Sequence, residues 1–205
     1  MSVDAWIVFS LFWVVFVTTP GPNAVNCISN GLAFGFVRAL PGVLGILTQA
    51  TLFMILSALG VTALLVAAPQ AFMALKIAGA LVLIGLGIRG WLVAGKTVEL
   101  TEKPASHIYL HALAVATINP KSVAGYLAAF SQFVEPGVPI WTQMQVIVPT
   151  ALVITAMSYC SYTALGALMG RSALAAVFNV WVRRLLAVCF VIYGILLGFS
   201  DLPAG

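Results

Sequence analysis

Between Ala5 and Val37 the chain carries no Asp, Glu, Lys or Arg, and the same holds from Ala39 to Leu75 and from Pro136 to Gly170. Each gap exceeds the ~20 residues a helix needs to cross a bilayer. A segment in hydrocarbon must satisfy its own backbone, as a helix or within a closed barrel. Barrel strands would show weak alternating segments of about ten residues, whereas these runs are continuous and rich in Leu, Ala and Gly. Only 7% of the residues are charged, against about 25% in a soluble domain. The expected fold class is therefore an all-α membrane protein. The net charge of +4 is spread over the connections, as topology signals are, so no nucleic-acid partner is expected. The opening "MSVDAW" has no Lys or Arg ahead of the apolar run, so no cleaved signal peptide is expected.

The pattern predicts six transmembrane helices, roughly Ala5–Phe36, Pro41–Ala67, Phe72–Leu92, Ile108–Phe133, Trp141–Met169 and Val182–Ser200. The connections are "GFVRALPG", "AAPQ", "GKTVELTEKPAS", "VEPGVP" and "GRSALAAVFN". Lys and Arg favour cytoplasmic loops. With both termini outside, seven of the nine basic residues lie on the cytoplasmic side: Arg38, Arg89, Lys96, Lys103, Arg171, Arg183 and Arg184. Lys76 can snorkel to the outer interface. Lys121 lies deep within the fourth span, where snorkelling is strained.

The first apolar run is too long. As one helix at 1.5 Å per residue it would reach ~50 Å, against a hydrocarbon core of ~30 Å. Pro20, Gly21, Pro22 and Asn23 interrupt it. Proline removes a backbone donor and clashes with the preceding turn. Asn119, Pro120 and Lys121 interrupt the fourth run in the same way. Spans one to three run inward and spans four to six outward, so each half of opposite topology carries a break in its first span. That is the signature of a 3+3 inverted repeat with a midplane site. One transmembrane domain is expected, with halves at residues 1–95 and 107–205 joined by a cytoplasmic loop at 96–106. Amide groups exposed at the start of each second half-helix can receive a carboxylate. Asn23 and Asn119 can donate and accept, and Lys121 adds a full positive charge whose burial a substrate carboxylate would offset. Carbonyls freed at the breaks can accept from a substrate ammonium.

Other polar residues within the spans are candidates for a polar path or for helix–helix hydrogen bonds. They are Thr48, Gln49, Ser158, Tyr159, Ser161 and Tyr162, with Asn26 and Tyr126 as further pocket candidates. His107 and His111, at i and i+4, are read as an interfacial polar face, and no metal site is expected. The spacings at Gly42–Gly45 and from Gly79 to Gly90 are read as helix packing. Pro149 is expected to kink span five. Cys27, Cys160 and Cys189 form no CxxC and are read as small apolar packing residues.

These residues resemble the LysE/RhtB family of bacterial amino-acid exporters. The resemblance runs through "TPGPN" (Thr19 to Asn23) and the following "NGLAFGFVRALPGVLGI". It continues in "LKIAGALVLIGLGIRGW" (Leu75 to Trp91), "INPKSVAGYLAAFSQFV" (Ile118 to Val134) and "VRRLLAVCFVIYGILLGF". It implies efflux of amino acids or close derivatives across the bacterial plasma (inner) membrane, driven by protons, with no cofactor and with a homo-oligomeric state open. Members commonly carry an acidic residue in the second and fifth spans, near Ala50 and Tyr159 here, but this sequence has no Asp or Glu within any span. A cationic substrate would lack a counter-charge, which points to a neutral one.

Three functions remain open on the sequence. The first is a secondary exporter, not an enzyme, of neutral amino acids. The second is a membrane thiol-disulfide oxidoreductase pairing Cys27 with Cys160. The third is an accessory membrane protein without transport.

Overall fold

The chain enters its first helix at Ser2, whose side chain accepts from the Ala5 amide at 3.2 Å, with Asp4 in the first turn. Both features suit the positive end of a helix. The computed structural model describes residues 2–67, 69–96, 107–135, 137–169, 177 and 179–199. Its elements are α1 (Val3–Thr18), α2 (Pro22–Phe34), α3 (Phe36–Ala67), α4 (Pro69–Leu92), α5 (Ile108–Ile118), α6 (Pro120–Phe133), α7 (Ile140–Met169) and α8 (Val180–Phe199). No strand occurs among the described residues. Most of the third connection, residues 97–106, and of the fifth, 170–176 and 178, lies outside the described residues, together with Glu99, Glu102, Lys103, Arg171 and Asp201.

Both breaks fall where proline chemistry places them. The first apolar run becomes α1 and α2, bent by 60°, and the fourth becomes α5 and α6, separated at Asn119. Pro22 and Pro120 open the second helix of each pair, the position where a missing N–H costs least. The expected connection "GFVRALPG" is different: the chain turns at Gly35 alone, at φ 74°, and α3 is helical from Phe36 with Pro41 inside it. Gly35 combines a positive φ with an extended ψ of 168°, which glycine adopts freely, and joins the two helices in one residue. Pro149 likewise lies within an unbroken α7.

By length and composition, Phe36–Gly60 and Ile140–Met169 are each able to cross a membrane, and the bent pair α1–α2 passes as a third. Ile77–Leu92 and Ile108–Ile118 are shorter apolar helices. The outward faces are themselves apolar, with Leu52, Leu56, Leu81, Leu185 and Leu196 all exposed. A continuous surface of this kind suits lipid rather than water.

The buried residues fall into two cores. One is aromatic and packs Phe9, Phe12, Trp13 and Phe16 of α1 against Tyr126, Phe130 and Phe133 of α6, with α3, α7 and α8 around them. The other joins Ala24, Cys27 and Ile28 of α2 to Val43 and Ile46 of α3, Ala112 and Ala116 of α5, and Tyr159 and Tyr162 of α7. Small residues allow the helices to meet, as is usual within membranes. A Cβ on Gly31 would overlap the Thr163 carbonyl oxygen, and one on Gly166 the Ile28 carbonyl oxygen, so α2 and α7 touch backbone to backbone. On α4, Gly87 receives Ala187 and Val191 of α8, and Gly194 of α8 receives Ala80 and Ile84 of α4. The glycine spacing in α4 thus serves packing.

Polar side chains fasten the connections. Gln143, fully buried in α7, accepts from the Glu135 amide at 2.9 Å and donates to the carbonyls of Glu135 and Val138 at 3.0 and 2.9 Å. Arg183 donates to the carbonyls of Ala94 and Lys96 at 2.7 and 3.0 Å, which ties the end of α4 to the start of α8.

Candidate functional site

The α1–α2 break leaves two backbone carbonyls beyond the last turn of α1, those of Thr18 and Thr19. Both threonine side chains turn back along α1, donating to Val14 and Val15 carbonyls at 2.6 Å. The freed carbonyls are met from elsewhere in the chain. Tyr162 of α7 donates its hydroxyl to Thr18 O. Lys121 of α6 donates Nζ to Thr19 O at 2.6 Å. The half-buried Lys121 side chain passes over Gly21, where a Cβ would stand 3.7 Å from Lys121 Cδ. Its ammonium lies 5.2 Å from the centroid of the Phe16 ring, a cation–π distance.

The second break is held by Asn119, whose side chain accepts from the Lys121 amide at 3.1 Å. Asparagine is a strong N-cap because its short oxygen reaches the free amides of the first turn. Across from it, Asn23 in the first turn of α2 donates to Tyr159 Oη at 3.4 Å. Its own Oδ1 is buried without a protein partner.

Between these groups lies a cavity lined by Phe16, Val17, Asn23, Ile46, Asn119, Lys121, Ser122, Tyr126, Thr155 and Tyr159, with room for about one water molecule. It sits at the seam between the two cores: Phe16, Val17 and Tyr126 come from the aromatic one, Ile46 and Tyr159 from the other. Trp13 Nε1 donates to Thr155 Oγ1 at 3.0 Å and closes the aromatic side. The N-termini of α2 and α6 both open here. Two helix starts and an ammonium present positive potential, while the carbonyls of Thr18 and Thr19 present acceptors. These groups carry the charges that complement a carboxylate and an ammonium.

Among the sequence candidates, Asn23, Asn119, Lys121, Tyr126 and Tyr159 line the cavity, and Gly21 provides the floor under the lysine stem. Tyr162 reaches the break through Thr18 O. Pro20, Pro22 and Pro120 act through the backbone, by stopping one helix and starting the next. Asn26 and Gln49 are buried but do not line the cavity. Ser161 is exposed and donates to Met157 O at 2.8 Å, so it faces away. Thr48 accepts from Tyr109 at 3.0 Å, a helix–helix contact. Cys27 belongs to the second core, the partly buried Cys160 packs against it, and all three cysteines are free thiols.

A profile of the LysE type translocators matches residues 14–201. The chain belongs to this family. Among its relatives is an uncharacterized membrane protein of Vibrio cholerae, 33% identical over 177 residues, which cover 83% of this chain and 85% of that protein. A homoserine/homoserine lactone efflux protein of Salmonella typhimurium is 28% identical, over 80% of this chain and 82% of its own length. A leucine efflux protein of Klebsiella pneumoniae is 27% identical, over 72% and 70%. No solved structure matches the chain.

Sequence reasoning missed several residues that this LysE type translocator brings to its cavity: Phe16, Val17, Ile46, Ser122 and Thr155. Ser122 follows Lys121 in the first turn after the break, and Thr155 lies four residues before Tyr159 on the same face of α7. Those spacings were available signals. Phe16, Val17 and Ile46 are apolar residues in apolar runs and carried none.

Proposed function

We propose that this translocator exports neutral amino acids or close derivatives, by alternating access around the two helix breaks. The observation that carries the reading is Lys121 Nζ resting on the Thr19 carbonyl, in a cavity shared by Asn23, Asn119 and two helix N-termini. A substrate carboxylate pairs with the lysine and the amide ends of α2 and α6. The substrate ammonium then takes the carbonyls of Thr18 and Thr19 that Tyr162 and Lys121 hold in its absence. The cavity is too small for an amino acid in this geometry, so the site widens on binding. Among the described residues no Asp or Glu lines it, which favours a neutral substrate over a cationic one. The relatives named for homoserine and leucine efflux support the same class.

The alternating-access reading rests on a 3+3 inverted repeat of six crossings. Pro22 and Pro120 both open their half-helices, and in this reading Asn23 and Lys121 are equivalent positions in the two halves. The packing of α4 on α8 is compatible with a two-fold exchange of halves. The reciprocal seating of Gly87 and Gly194 supports it too. The distribution of Lys and Arg supports an orientation with both termini outside the bacterial inner membrane; in this reading a proton gradient drives export. A thiol-exchange role is not favoured, since the named relatives are efflux proteins.

The direct test feeds mixed dipeptides to cells producing the chain and quantifies every amino acid released. We expect leucine, homoserine or another neutral amino acid to appear outside several-fold faster than with an empty vector. Release of no amino acid above the vector level would overturn the reading.

A further inference from the structure

The two sides of the cavity differ. Toward the N-terminal end of α1 it is closed by packed aromatic rings. Phe16 touches Tyr126 edge to face at 5.9 Å, and Trp13 meets both Phe16 and Tyr126 at 5.3 and 5.4 Å. Toward the Gly35 end of α2 the residues that continue from the cavity are polar. Asn23, Asn26 and Asn30 recur at i, i+3 and i+7, a spacing that places them along one face of a helix. They are only 4%, 6% and 6% exposed.

This stripe is poorly satisfied. Asn23 Oδ1 and Asn26 Nδ2 have no protein partner, and Asn30 Nδ2 reaches Asn26 Oδ1 only at 3.5 Å. On α3, Gln49 Nε2 is also buried without a partner. A buried polar group without a hydrogen bond costs roughly 1–3 kcal/mol, so these amides call for a partner such as water or a ligand. A stripe of amides that can each donate and accept suits a zwitterion or water passing along it. The stripe ends under a lid. A Cβ built on Gly42 of α3 would lie 3.0 Å from Asn30 Nδ2, 3.2 Å from Ile108 Cγ2 and 3.8 Å from Ala112 Cβ. Asn30 and the first turns of α5 thus meet at the glycine face of α3. The α5 helix is eleven residues long and ends at the Asn119 break, which supplies a pivot.

We propose that Asn23, Asn26 and Asn30 conduct the zwitterionic substrate between the cytoplasm and the cavity, and that α5 is the gate, swinging off Gly42 and Gly45 about Asn119. The proposal rests on the export reading, and it is tested without measuring export. In a background with Cys27, Cys160 and Cys189 replaced by alanine, Asn26→Cys is exposed to a membrane-impermeant maleimide in inside-out and right-side-out vesicles. Labelling is read by peptide mass spectrometry, and Asn30→Cys serves as a second position. Labelling from the cytoplasmic face is expected at least tenfold faster than from the outer face. Adding Gly42→Cys with Ala112→Cys sets two thiols at the 3.8 Å Cβ separation just given, which suits a disulfide. Oxidising that pair is expected to slow labelling at position 26 about tenfold, and reduction is expected to restore it. Labelling chiefly from outside, labelling from neither face, or labelling unchanged by the cross-link would overturn the proposal. A chain that exports no amino acid yet shows the expected labelling would overturn only the substrate reading.

Discussion

Replacing Lys121 with methionine is expected to lower export about 100-fold at matched membrane abundance, with the protein still folded. Methionine keeps much of the apolar stem that packs over Gly21 and against Phe16, so the helix pair α1–α6 retains its fill. What disappears is the ammonium and its bond to Thr19 O. Removing one partner of a buried, hydrogen-bonded charge pair costs roughly 2–5 kcal/mol in binding, and about 2.7 kcal/mol corresponds to a factor of about 100. Lys121→Arg is expected to fall between wild type and methionine. It retains the charge, but its planar fork does not match a site built for a compact ammonium. Initial rates of efflux over a range of internal substrate concentrations check both variants. Unchanged export in Lys121→Met would mean that the lysine is a strut between the two breaks and does not touch substrate.

The second large effect is structural. Gly166→Leu is expected to eliminate most of the assembled protein, with a loss of more than ~4 kcal/mol. A Cβ there would overlap Ile28 O and stand 2.9 Å from both Ile28 C and Cα. These are backbone atoms of a helix, so they cannot rotate aside as a side chain would. The α2–α7 contact must open, and with it the Asn23–Tyr159 and Thr18–Tyr162 bonds that register α7 on the first break. Gly85 provides the control, since a Cβ there meets nothing within 4 Å. Gly85→Ala is expected to be neutral or to stabilise by up to about 1 kcal/mol, because alanine is the better helix former. The yield of monodisperse protein and its melting temperature in detergent separate the two variants. Equal yields would mean that α2 and α7 do not pack through Gly31 and Gly166.

The breaks were legible because proline acts locally. Pro20, Pro22 and Pro120 carry their geometric consequence wherever the chain goes, and a lysine in an apolar run marks itself. The positive-φ turn at Gly35 is equally local, but the following Arg38 and Pro41 suggested a longer connection than one residue. The site's apolar wall was not legible. Phe16 and Phe12 look alike in an apolar run and both join the ring cluster; only the packing of α6 on α1 sets the Lys121 ammonium beside Phe16. The glycines in tightest contact with another helix's backbone were also missed. Gly31 and Gly166 sit singly in helices whose crossing is set by tertiary packing, whereas the dense glycines of α4 announced themselves by number. The asparagine stripe was half visible: Asn23 and Asn26 stood out beside the break, but the relevance of Asn30 depends on α5 lying over it.

The central claim is that the paired breaks recognise a carboxylate through Lys121. Counterflow in proteoliposomes tests it most directly, with purified protein loaded with unlabelled leucine and labelled leucine outside. Leucinamide, which lacks the carboxylate, serves as the competitor, and homoserine runs in parallel as the labelled substrate. Labelled uptake is expected from wild type, with at least tenfold weaker competition by leucinamide than by leucine, and no uptake from Lys121→Met. Uptake competed equally by leucine and leucinamide, or uptake preserved in Lys121→Met, would contradict it.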